Sequence, residues 1–97
     1  MFISGGENVY PAEVEQAVMR HPAVEEAAVV GVPDEKWGES GLGAVVLKAG
    51  AGLTGDELKS YLRGKIAHYK VPKRFVFMDE LPKTGAGKID KLLLLKR

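Results

Sequence analysis

Two glycine-rich segments hold the residue types in this chain that can bring backbone amides or a cation to an anion. They are Ser4-Gly5-Gly6-Glu7-Asn8 near the start and Pro82-Lys83-Thr84-Gly85-Ala86-Gly87-Lys88 near the end. Glycine tolerates φ > 0 and lets backbone N–H groups approach a ligand, so Gly5-Gly6 reads equally as a functional loop and as a plain turn. The second segment invites comparison with a phosphate loop, G-x-x-x-x-G-K-[ST], and fails it. Pro82 stands where the first glycine belongs, and Ile89 where the magnesium-binding hydroxyl belongs. What remains is a loop presenting one ammonium, that of Lys88, and a lone lysine in such a loop is ordinarily just solvated.

Other chemistries are poorly served. No cysteine is present, which removes disulfides, thiolate nucleophiles and Cys-based metal sites and fits a reducing compartment. His21 and His68 are far apart and in no metal-ligand spacing, so both read as structural or surface residues and no metal site is expected. Glu13 and Glu15 suit a helix N-terminus and solubility, and no paired carboxylates stand ready for acid/base work. With 14 Lys plus Arg against 13 Asp plus Glu the net charge is +1, which leaves no broad footprint for nucleic acid or anionic membrane. No apolar run reaches the roughly 20 residues of a membrane span and no export signal precedes Ser4, so cytoplasm is the expected location.

The elements that must position these loops are those of one small domain over residues 1–97. Met1 to Ser4 reads as a short strand. Pro11 opens a helix with Val14, Ala17 and Val18 on its apolar face, ending near Arg20 because His21 precedes Pro22. Val24 to Val32 reads as a buried strand, Asp34 to Ser40 as a polar loop carrying Trp37, and Gly41 to Lys48 as a second strand of the pair. Thr54-Gly55-Asp56-Glu57 has the form of a capping box before Leu58, Tyr61, Leu62 and Ile66 at helical spacing. Arg74 to Met78 is a further strand, and Asp90 caps a short helix through Leu92 to Leu95. The order β-α-β-β-α-β-α predicts an α+β fold, with a small, mostly antiparallel three-stranded sheet, packed helices and a short N-terminal strand and loop.

Ile3-Ser4-Gly5-Gly6-Glu7-Asn8-Val9-Tyr10-Pro11-Ala12-Glu13-Val14-Glu15 closely resembles the segment that opens the C-terminal domain of the adenylate-forming, AMP-binding superfamily. Val32-Pro33-Asp34 with Trp37-Gly38-Glu39, then Tyr69-Lys70-Val71-Pro72, then Leu81-Pro82-Lys83-Thr84 through Gly87-Lys88-Ile89 resemble its remaining blocks in order. Gly5-Gly6-Glu7-Asn8 followed by Tyr10-Pro11 is similar to acyl- and aryl-CoA ligases, with fatty acyl favoured. Peptide-synthetase domains usually carry an Arg-containing version.

The resemblance implies that this is one domain of an acyl-CoA synthetase that begins at an internal methionine of a longer protein. The large N-terminal adenylation domain, the partner that holds most of the ATP and Mg2+ site, and the hinge residue would precede Met1. Family members make an acyl-AMP from a carboxylate and ATP, then pass the acyl group to the thiol of CoA, rotating the C-terminal domain between the steps. Lys88 would be the catalytic lysine of the first step. Ser4, Gly5, Gly6 and Glu7 would line the tunnel for the pantetheine arm in the second. For the CoA nucleotide, Trp37 and Tyr69 offer stacking faces and Lys70 and Lys73 offer charge for phosphates; Tyr69 and Trp37 serve equally well as packing anchors. The rival reading is a free-standing interaction module, or a split-synthetase partner, without activity of its own.

Overall fold

The computed structural model describes residues 1–95. Its centre is a long antiparallel hairpin, β3 (Val24–Asp34) with β4 (Gly38–Leu47), in register from Val24↔Leu47 to Asp34↔Gly38 with a single irregularity near Glu26. On the other side of β4 lie two short partners. A small hairpin of β1 (Phe2–Ser4) and β2 (Glu7–Val9) touches β4 at Ser4↔Gly38, and β5 (Arg74–Phe77) runs parallel to Leu42–Val45. β3 is therefore an edge strand.

The α+β fold is as the sequence implies, but the sheet has five strands rather than three, because the expected short N-terminal strand joins it as β1 and a further strand, β2, follows. The additional strand, β2, is only three residues long and pairs only with β1, so it offers too little alternation for a period of two to register. The pairing is mostly antiparallel, β5 being the exception. The stretch Asp34 to Ser40, expected as a loop, is mostly strand. Pro33 is tolerated because β3 is an edge, and Gly38, at φ 82°, lets the chain turn back at once, which leaves Glu35 to Trp37 as the loop.

Helices cover both faces. α1 (Pro11–Met19) and α2 (Gly55–Leu62) bury Val14, Ala17, Val18, Leu58 and Leu62 against Ala27, Val29 and Val45. The opposite face, carrying Ala28, Val30, Leu42, Ala44 and Val46, is closed by Leu81 and by Leu94 of α3 (Lys91–Leu95). Burying each such Val or Leu contributes about 1.5–3 kcal/mol before chain entropy is subtracted. Rings from neighbouring elements fit because the central hairpin lacks side chains beneath them. A Cβ on Gly31 would lie 2.6 Å from Phe2, and one on Gly43 2.6 Å from Phe75.

Two caps match their sequence signals. Thr54 Oγ1 accepts from Glu57 N–H at 3.1 Å while Glu57 Oε1 accepts from Thr54 N–H at 2.9 Å, completing the capping box. Asp90 Oδ1 accepts from Leu93 N–H at 3.3 Å. α2 stops at Leu62, short of Ile66, because Arg63 is extended and Gly64 sits at φ 83°. No helix among the described residues is long and apolar enough to cross a membrane.

Candidate functional site

Ser4 and Glu7 face each other across a two-residue hairpin loop whose central residues, Gly5 and Gly6, have φ of 58° and 84°. Positive φ at both positions is the pattern of a tight hairpin turn whose twist matches the strands, and it favours glycine at each. The turn is docked onto the β3–β4 turn. Gly5 N–H donates to the Trp37 carbonyl at 2.9 Å, and the indole lies directly over Gly5, with Cε3 2.9 Å from where a Cβ would stand.

Trp37 is held in turn by Asp34, whose Oδ1 accepts from Trp37 N–H at 3.0 Å and from Lys36 N–H at 2.8 Å. The Trp37 bond is the main reason the Asp34 carboxyl sits below its usual range, with Lys36 N–H and the Lys73 ammonium acting in the same direction against partial burial. Lys36 and Lys73 place their ammonium groups 4.9 and 5.2 Å from the indole centroid, within cation–π range.

Ser4, Gly5, Glu7, Trp37, Tyr69 and Lys73, six of the residues expected to meet CoA, line one cavity of about 140 Å³ together with His68. The other two do not join them. Gly6 faces open space, and Lys70 is engaged by Glu13 at 3.0 Å, an ion pair that raises the lysine above its ordinary value. His68, expected as a structural or surface residue, joins the six because the short 3-10 turn His68–Lys70 carries it beside Tyr69; its adjacency to Tyr69 is the one signal the sequence holds for it. His68 and Lys73 also wall an adjoining pocket of about 200 Å³ with Lys59 and Arg63, whose positive side chains the sequence reading did not single out.

Lys88 lies elsewhere. Leu81 and Ile89 pack into the second core and fix the two ends of its loop, while Lys83 pairs with Ile89 across the base. Thr84 N–H donates to the Lys88 carbonyl at 2.7 Å and Gly87, at φ 84°, donates to the Thr84 carbonyl at 2.9 Å, so the tip is a closed turn. Lys83 and Lys91 are in ion pairs with Glu26 and Glu15; among the described residues no ion pair engages the exposed Lys88. The loop meets β3 at Glu26 and the glycine turn meets it beyond Asp34. At about 3.3 Å per residue the two contacts are on the order of 25 Å apart.

No group of three or more His, Asp or Glu residues placed to hold a metal comes together among the described residues.

This small α+β domain thus carries a glycine turn at one end of its long edge strand, β3, and a lysine loop at the other. The chain belongs to the AMP-binding enzyme C-terminal domain family, whose model matches residues 13–88. It is 56% identical over 91 residues to a feruloyl-CoA synthase of Amycolatopsis sp, covering 94% of this chain and 18% of that protein. It is 50% identical over 97 residues to the mitochondrial medium-chain acyl-CoA ligase ACSF2 of Danio rerio, covering 100% of this chain and 16% of that one. The crystal structure of ATP-bound MatB from Rhodopseudomonas palustris superposes with a TM-score of 0.95 at 38% identity, over 99% of this chain and 19% of that one. The chain thus spans less than a fifth of the length of these relatives.

Proposed function

We propose that this domain serves an ATP-dependent acyl-CoA synthetase, an acid–thiol ligase, and that it presents a different loop to each half-reaction. The observation that carries the reading is the placement of the glycine turn and the lysine loop at opposite ends of β3, too far apart to meet one reacting centre together. In the first step a carboxylate oxygen attacks the α-phosphorus of ATP and pyrophosphate leaves with the bonding electrons. Negative charge gathers at the carboxylate and α-phosphate, and the Lys88 ammonium, free of ion pairs among the described residues, offsets it there.

In the second step the CoA sulfur attacks the acyl carbonyl and AMP leaves. Gly5 and Gly6, with Ser4 and Glu7, flank the path of the pantetheine arm. Trp37 and Tyr69 offer faces to the adenine, and Lys73, with Lys70, offers charge to the phosphates. The shared cavity of Ser4, Gly5, Glu7, Trp37, Tyr69 and Lys73 supports this grouping.

The substrate is an acyl or aryl carboxylate, a range consistent with relatives named for feruloyl and medium-chain acyl groups. The nucleotide and acyl walls, and the ATP with its Mg2+, belong to a large N-terminal adenylation domain, the cytoplasmic partner of this one. The chain alone is inactive. Measuring the half-reactions separately in the full-length protein tests the reading. A Lys88 variant should fail only in adenylation and a Gly5 variant only in transfer, and equal slowing of both steps by both variants refutes it.

A further inference from the structure

We propose that Asp34 is a positioning residue for the glycine turn, acting through Trp37, and through it for the thioester-forming step. The inference rests on the two-loop reading above and deepens its second half. Asp34 does not line the cavity of Ser4, Gly5 and Tyr69, so it does not act by touching a substrate there. It acts through a relay of three contacts. Its Oδ1 takes the Lys36 and Trp37 N–H groups at 2.8 and 3.0 Å; the Trp37 carbonyl takes the Gly5 N–H at 2.9 Å; the Trp37 ring lies on Gly5, where a Cβ would meet Cε3 at 2.9 Å.

A carboxylate or amide oxygen that accepts N–H groups two and three residues on is the standard way for Asp or Asn to fix a turn. Here that turn carries an exposed aromatic on a three-residue loop, which would otherwise sample many positions. The β3–β4 ladder reaches Asp34↔Gly38 without help from the side chain. Loss of the carboxylate therefore frees Glu35 to Trp37 while the hairpin beneath persists. Trp37 then loses its seat, the Gly5 N–H loses its acceptor, and the indole that Lys36 and Lys73 flank moves away from the cavity. Gly5 has no side chain for two reasons: its φ of 58°, and the ring above it.

Three substitutions separate geometry from charge. Asn keeps the acceptor oxygen in place without charge, Glu keeps the charge but moves the oxygen by a methylene, and Ala removes both. In the full-length enzyme, with acyl-AMP supplied and CoA varied, Asp34→Ala and Asp34→Glu are expected to raise the KM for CoA roughly 10-fold or more, the scale of a misplaced contact. Asp34→Asn should stay near the parent, and adenylation should be unchanged in all three. A charge effect would instead spare Glu and impair Asn, which overturns the proposal.

The Gly5 amide resonance of the 97-residue chain gives a readout independent of activity. It should move in Asp34→Ala and Asp34→Glu and stay in place in Asp34→Asn. An unmoved Gly5 amide in Asp34→Ala overturns the relay, and a moved amide with unaltered transfer overturns its role in that step. Lys88→Ala kinetics do not involve Asp34 and report separately on the two-loop reading. Thermal melts of all variants accompany both measurements, and if Ala lowers the melt, the Asn–Glu contrast still decides.

Discussion

Lys83 and Glu26, 57 residues apart in sequence, are joined by an ion pair with Nζ 3.0 Å from Oε2 and 3.4 Å from Oε1. A second pair, Lys91 with Glu15 at 2.9 Å, holds the chain just beyond the same loop. One clamp thus stands on each side of the turn that presents Lys88. Both are partly exposed, so each contributes only about 0.2–1 kcal/mol, enough to bias a loop and too little to hold a fold. Glu26→Gln should therefore lower adenylation a few-fold at low salt, with little change in melting temperature. The exchange Glu26→Lys with Lys83→Glu should restore most of the loss. Initial rates of acyl-AMP formation at two ionic strengths check this, and a rate insensitive to both changes would dismiss the clamp.

Lys88→Ala in the full-length protein is expected to slow adenylation on the order of 10²–10³-fold, the usual loss of one preorganised charge stabiliser. Thioester formation from supplied acyl-AMP should change much less. Pre-steady-state rates of the two steps are the measurement. Acetylation of Lys88, which removes the same charge, should reproduce the defect.

Gly5→Leu should leave adenylation largely intact and block transfer. A destabilisation must be measured beside it, because the new Cβ would meet Trp37 at 2.9 Å and φ is 58°; the backbone strain alone costs about 1–3 kcal/mol. Gly6→Ala is the control. Gly6 has positive φ but no neighbour within 4 Å, so its melt should show the backbone strain without the clash against Trp37, which separates the two causes of any Gly5→Leu destabilisation.

The 97-residue chain should fold alone, since it has a core on each face of its sheet, yet make no acyl-AMP. Any ATP contact at the lysine loop should be salt-sensitive and of millimolar order, about 4 kcal/mol, because the loop has donors and charge but no walls. Amide-shift titration with ATP tests this, and micromolar affinity would contradict it.

Thr54→Ala removes one half of a reciprocal cap and should cost about 1 kcal/mol, read as a lowered denaturation midpoint at unchanged slope.

Signals that act over a few residues were legible in the sequence. The capping box at Thr54 and the cap at Asp90 concern neighbours three positions apart, Pro11 at a helix start concerns only its own fixed φ and missing N–H, and each is present. The pairing of β3 with β4 was legible as two runs of Val and Ala, but the short loop between them was not, because Pro33 and Gly38 read as breakers and only the sheet reveals that one lies on an edge and the other in a turn. Glu13 and Glu15 look like helix-start carboxylates. Their partners, Lys70 and Lys91, lie too far along the chain for any local pattern to link them. For the same reason Trp37 was expected against the nucleotide, while its seat on Gly5 emerged only from the fold.

β3 is eleven residues long and has β4 on one side only, so a row of its amides and carbonyls faces outward, the kind of surface on which a second chain can add a strand. Glu15 Oε2 accepts the Val29 N–H at 2.8 Å near the middle of that row and keeps the Lys91 ammonium beside it. A foreign strand would have to displace a carboxylate and strand a cation to pair there, and Pro33 offers no donor near the far end. The contact that fastens α1 to α3 is thus also a gatekeeper against self-association, and Glu15→Ala should sooner yield a protein that aggregates than one that fails to fold.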